Sequence, residues 1–288
     1  MTKLQILAVL VLSLSQTATA QQPQVTTARQ PVFDAHVHLW HGERSIREYE
    51  AQLQSTDQNV TRYGGILMAQ RPGEMAAVRA ANDELIALAR SHPNMMPIPS
   101  VHPYDGDAAI AELRRLRQAG VHTIKLHPHT QQFDVTDPRV LALVTEAGAL
   151  GIVVLMDNAN IIPGDSENLF NLAVRAPRTK FVFAHMGGLN FRFWNMIVLA
   201  RTAGEFFADN IYFDISATIT LAADSPIEEE FIWTMRNVGI DRIMLGSDYP
   251  QISLAQAVDA LDRLDLSQRE KDQIRYENAR RLLLRDQE

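Results

Sequence analysis

From about residue 32 onward, short apolar runs alternate with longer amphipathic stretches. Runs at 32–39, 64–69, 96–101, 122–127, 152–157, 180–185, 210–216 and 242–247 are short and rich in β-branched and aromatic residues, and they predict eight strands. Between them lie stretches with helical spacing, such as MAAVRAANDELIALAR, AAIAELRRLRQAG, RVLALVTEAGALG and SPIEEEFIWTMRNVG. Gly120 and Gly151 end two of these where a left-handed C-cap is expected. A strand-plus-helix unit of roughly 30 residues is the length of a βα repeat, and eight of them predict a single α/β domain, a (β/α)8 (TIM) barrel over 31–288. The tail, SQREKDQIRYENARRLLLR, predicts an extra C-terminal helix starting from a Ser267 cap and packing on the outside. A doubly wound open sheet is the weaker fit, because no glycine-rich phosphate loop follows the first strand.

The segment before the first strand has a different character. Lys3, the apolar run Ile6 to Leu14 and the small residues Ala18-Thr19-Ala20 have the order of a secretory signal, so residues 1–20 are expected to be removed on export to the periplasm or outside the cell. The apolar run is too short to span a bilayer. Residues 21–30 are polar and aperiodic and read as a flexible lead-in. The chain has 27 Lys and Arg against 34 Asp and Glu, a net charge of −7, and signal removal takes away only one lysine. With no basic cluster, nucleic acid and anionic membrane surfaces are poor partners. A small molecule is the expected partner, with self-association into a homo-oligomer left open. The absence of cysteine excludes disulfides and thiolate metal sites, so any metal must sit on His, carboxylate or a modified lysine.

In such a barrel, function sits at the carboxyl ends of the strands. The first run ends Asp34-Ala-His36-Val-His38, and the strand period of two points both imidazoles the same way, roughly 6 to 7 Å apart along the strand. Two such rings can converge on one ion through bonds of roughly 2.0 to 2.1 Å. The second run leads into Gln70 and Arg71, the third into His102, and the fourth places Lys125 and His127 on one face. The fifth, sixth and eighth end in Asp157, His185 and Asp248. Each has an ordinary structural explanation alone, as a cap, a core histidine or a buried ion pair. Their recurrence at one edge, strand after strand, points to a site, because charged residues are seldom buried unpaired.

FDAHVHLW, IKLHPHTQQF, FAHMGG and MLGSDYP, in that order, resemble the amidohydrolase superfamily of TIM-barrel metal-dependent hydrolases. The likeness is to its amidohydrolase-related branch, which also holds aromatic-acid decarboxylases and lactone hydrolases. The resemblance implies that His36 and His38 are the first-strand metal pair. It implies that Asp248 binds the metal and takes a proton from attacking water, and that His185 is a ligand or a group that orients water. Lys125 stands where some members carry a carboxylated lysine bridging two metals. Its Lys-Leu-His-Pro setting favours an unmodified ammonium for a substrate carboxylate. On strand five the family's histidine is replaced, since this chain reads Gly151-Ile-Val-Val-Leu-Met-Asp157. If Asp157 is a ligand, the set becomes two His and two Asp and preference shifts from Zn toward Mn or Fe.

The expectation is one divalent ion, zinc by default, serving an exported hydrolase of a small ester, lactone or amide. The ion lowers the pKa of bound water. Asp248 acts as base and then acid, His185 stabilises the oxyanion, and Lys125, His127, His102 and Arg71 contact substrate. A lyase on the same scaffold, decarboxylating an aromatic or unsaturated acid, is the alternative. A binding barrel without chemistry is a third reading. Phe191, Phe193 and Trp194, after strand six, are expected to pack on the barrel rather than wall a pocket. His41, His92 and His122 need no function.

Overall fold

The computed structural model describes residues 30–284 apart from Asp57 and Gln70; the expected signal segment and residues 21–29 lie outside the described residues. All eight predicted strands form: β1 (Pro31–His38), β2 (Asn59–Ile66), β3 (Met95–Ile98), β4 (Thr123–Leu126), β5 (Val153–Met156), β6 (Phe181–Phe183), β7 (Ile211–Asp214) and β8 (Ile243–Met244). They pair in parallel in sequence order, β1 to β3 and β4 to β8. The two sheets join where Lys125 N donates to the Pro99 carbonyl at 2.9 Å. The ring closes where Ala35 N donates to Leu245 O at 3.0 Å and Asp248 N to His36 O at 2.9 Å. The protein is a TIM barrel.

The inner and outer faces separate as strand alternation requires. Ile124, Leu126, Val154, Met156, Phe181, Phe183, Phe213 and Leu245 face outward into the helix layer. Phe33, Ala35, Val153, Leu155, Val182 and Met244 fill the barrel. The glycine caps are formed as expected: after the helix Asp107–Gln118, Gly120 has φ 88°, its N–H reaches Arg117 O, and Val121 N reaches Leu116 O. This is the paired bond of a left-handed cap, which any side chain would strain.

The tail corrects one expectation. A capping box between Ser267 and Glu270 starts it and Gln268–Asp272 stay outside, but its end does not. Ala279, Leu282 and Leu283 join the cluster inside the barrel, closing the end where the strands begin. A π-turn at Gln273–Glu277 permits this, and the Ile274 carbonyl there accepts from Leu245 N at 2.8 Å, tying the tail to β8. The other end is left as the mouth. Truncating the plug by Leu283→Ala is expected to cost about 2–5 kcal/mol in urea unfolding, as a buried leucine does. A loss below about 0.5 kcal/mol, normal for a surface position, would show that the tail does not seal the barrel.

Candidate metal centre

Three backbone departures aim the site. In β1, Asp34 pairs with Tyr63 and Val37 with Gly65, so β1 carries one extra residue, a β-bulge. Phe33 and Ala35 point into the barrel, and strict alternation would send His36 and His38 outward. The bulge reverses the parity and turns both imidazoles to the interior. After β6, Phe183 faces outward and His185 would follow it. His185 instead adopts φ 60°, at the head of a left-handed run through Gly188, and its ring turns in. Asp248 has φ 65°. Beside it Gly246 is obligatory by proximity, since a Cβ there would lie 2.8 Å from the His36 Cβ.

His36 Nε2 and His38 Nε2 lie 3.1 Å apart, and Asp248 Oδ1 is 3.4 and 3.3 Å from them. Among the described residues these three form a group able to hold one metal ion. Ligands bonded at about 2.0–2.1 Å in tetrahedral array stand about 3.3 Å apart, so the triangle fits one ion. Asp214, at the end of β7, accepts from His36 Nδ1–H at 3.1 Å, which leaves the Nε2 lone pair facing the triangle. The other Asp214 oxygen accepts from the backbone N–H of His185 and Ser216 and from the Ser216 hydroxyl. His38 is held differently: its ring stacks on Trp40 at 4.6 Å and 7°, and Nδ1 has no hydrogen-bond partner among the described residues.

Burial, reinforced by the Lys125 charge, pushes His36 down to about 4 and His38 down to about 3. Both are neutral at physiological pH, the form in which an imidazole can accept a metal ion. Burial opposes ionisation of Asp214, but the electrostatic pull and hydrogen bond of His36, with the His185 charge and the Ser216 bond, outweigh it and hold the carboxyl well below its usual range. Lys125 is fully buried, its pKa lowered by desolvation against the pull of Asp157, Asp214 and Asp248, and its Nζ lies 3.2 Å from His36 Nε2. His185 Nε2 lies 3.1 Å from Asp157 Oδ1, and its Nδ1 donates to the Ser216 carbonyl at 3.0 Å. Two acceptors on two ring nitrogens require the imidazolium. Burial works against that charge, but the bond to Asp157 and the charges of Asp157, Asp214 and Asp248 overcome it and raise His185 to about 9. For Asp157, burial is likewise outweighed by His185, His127 and Lys125, and its pKa is lowered.

An amidohydrolase family model matches residues 33–285, nearly all of the described chain. The chain belongs to the amidohydrolase family. No curated protein matches it in sequence. Among solved structures, an uncharacterized TIM-barrel protein from Bordetella bronchiseptica is similar at TM-score 0.70 and 16% identity, covering 90% of this chain and 100% of that one. A 2,6-dihydroxybenzoate decarboxylase from Rhizobium gives TM-score 0.65 and 18% identity, covering 90% and 99%. A 5-carboxyvanillate decarboxylase from Novosphingobium aromaticivorans, complexed with manganese and 4-hydroxy-3-methoxy-5-nitrobenzoic acid, gives 0.66 and 16%, covering 94% and 100%.

In this amidohydrolase, the residues expected from the sequence separate into two groups. His36, His38, Lys125, Asp157, His185 and Asp248 converge at one end of the barrel. His127 joins them at the edge, its Nε2 3.6 Å from Asp157, while Nδ1 accepts from Thr130 N. His102 is a correction: it is fully buried, with Nε2 donating to the Gln131 carbonyl at 2.7 Å and Nδ1 accepting from Tyr104 N, so no ring nitrogen is left for substrate. Arg71 is exposed in the turn after β2. Gln70 lies outside the described residues. Phe191 and Trp194 are buried against Phe231 and Phe183, packing on the barrel. Sequence reasoning missed Asp214 and Ser216, although in IYFDIS an acid follows the apolar residues as in the fifth run.

These shifts give the metal-free protein two opposite pH limbs. His36, His38 and His127 titrate below the ordinary 6.5 in the fold, so as pH falls from 6.5 toward 4 the unfolded chain gains protons the fold refuses and stability drops. His185 has the reverse sign, its contribution full below 6.5 and lost as pH rises through about 9. Denaturant titrations across pH after chelation are expected to show both limbs, with His185→Gln abolishing only the alkaline one. An unchanged alkaline limb in that variant would refute the imidazolium.

Proposed function

We propose that this protein is a metal-dependent decarboxylase of a small aromatic acid, acting on substrate met outside the cytoplasm. The observation that carries the reading is the His185–Asp157 pair, a buried proton-bearing group beside the His36, His38 and Asp248 triangle, with rings of His36 and His185 5.3 Å apart. Loss of CO2 from a ring carbon needs a proton delivered to that carbon, and a buried imidazolium beside the triangle supports giving that role to His185. Support also comes from the fold neighbours described as decarboxylases, one of them holding manganese and a substituted benzoic acid. The N-terminal segment, with the composition of a signal, supports export.

His36, His38 and Asp248 would hold an ion, manganese or zinc, that would supply Lewis acidity toward substrate oxygens. With His36 Nε2 among the groups that would hold the ion, the Lys125 ammonium would be left to bind the anionic part of the substrate. His185 then gives up its Nε2 bond to Asp157 and passes that proton to the ring carbon as the carbon–carboxyl bond breaks. The bonding pair returns to the ring, CO2 leaves, and His185 regains a proton from solvent. Asp157 and Asp214 keep that imidazole oriented and charged. His127 stands at the rim.

Hydrolysis of an ester or lactone is the second reading, favoured by Asp248 Oδ1, which lies within 3.4 Å of both ligand imidazoles and can take a proton from water. Hydroxybenzoic acids, aryl esters and lactones, each offered with manganese or zinc, separate the two. Release of CO2 from an aromatic acid is expected, with His185→Asn lowering kcat by about 10²–10⁴. Turnover of a lactone or ester without any decarboxylation would overturn the decarboxylase reading.

A further inference from the structure

We propose that Asp157 stands outside the coordination sphere of the ion and serves as the positioning residue for His185 and His127, leaving the ion three protein ligands. The inference rests on the metal-centred reading above but not on any substrate. The sequence places Asp157 where the family it resembles carries a histidine, and a carboxylate in that place invites assignment as a fourth ligand. The geometry assigns it elsewhere.

Alternation along β5 points Asp157 inward after Val153 and Leu155, so its side chain does face the barrel. An aspartate is shorter than an imidazole, however, and its Oδ1 stops at His185 Nε2, 3.1 Å away, with His127 Nε2 at 3.6 Å. Both histidines have their other nitrogen committed. His185 Nδ1 donates to the Ser216 carbonyl, and His127 Nδ1 accepts from Thr130 N. Each Nε2 therefore carries a hydrogen, that of His185 bonded to Asp157 and that of His127 on a nitrogen 3.6 Å from it. Moving Asp157 to the ion would strand a buried N–H at His185, which is a costly loss. The three atoms of His36, His38 and Asp248 meanwhile close on one another within 3.4 Å without it. Two histidines and one carboxylate would then be the ion's protein ligands.

The test uses the full chain after chelation and reads metal affinity, with no substrate present. Manganese and zinc Kd values are measured by chelator competition for wild type, Asp157→Asn and Asp248→Asn, with thermal melts to confirm folding. Asp157→Asn is expected to stay within about threefold of wild type, while Asp248→Asn weakens binding at least tenfold. Nitrogen-15 NMR of the zinc-loaded protein supplies the positioning readout. The His185 Nε2 signal is expected to move from a protonated to a lone-pair shift in Asp157→Asn and to stay put in Glu43→Gln, an exposed control. A loss of metal affinity in Asp157→Asn equal to that in Asp248→Asn, or an unmoved His185 signal, would overturn the inference. Should Asp157→Asn fail to fold, Asp157→Ser is measured in the same way, with the same outcomes deciding. Absence of decarboxylation leaves this result standing, since neither readout involves turnover.

Discussion

The hydrogen bond from His36 to Asp214 is the constraint on which the rest of the site depends. It joins the first strand to the seventh across the barrel, fixes which imidazole nitrogen carries the proton, and turns the other toward Asp248. The same carboxylate holds the backbone of His185 and of Ser216, so one buried anion orients groups from three strands. Burying an anion is expensive unless its donors are fixed in advance. Here the backbone fixes them, through a bulge in β1 and left-handed residues after β6. The barrel thus trades regular geometry at the mouth for a charge cluster in which opposite signs alternate.

That alternation explains why so many ionisable groups are tolerated with almost no solvent. Lys125 faces the carboxylates of Asp157, Asp214 and Asp248, and His185 lies between two of them. Removing one member leaves its partner buried and unpaired, which is far more destabilising than losing a surface pair. Seen this way, the C-terminal plug and the mouth divide the labour. Ala279, Leu282 and Leu283 seal the strand-initiating end with apolar contacts, so the polar cost is confined to the end where substrate enters.

Much of this was legible in the sequence because periodicity survives folding. All eight strands lie within a few residues of their apolar runs, and six of the polar residues at their ends meet in one place. What was not legible depends on backbone geometry that period-two reasoning assumes away. The rule places His36 and His38 on one side, but only the bulge decides that it is the inside. His102 has the same place at the end of a strand as His185, yet the 3-10 turn after it takes one of its ring nitrogens and the Gln131 carbonyl takes the other. The tail helix reads as an outer element from its amphipathic pattern, because a π-turn that redirects it has no strong compositional signal.

The central claim is that His36, His38 and Asp248 hold one divalent ion. The most direct measurement is elemental analysis of protein purified without chelator, beside His36→Ala treated identically. About one equivalent of metal in the wild type, lost in the variant, is the predicted result. No metal in either protein after reconstitution with manganese, zinc or iron, with both correctly folded, would contradict the account.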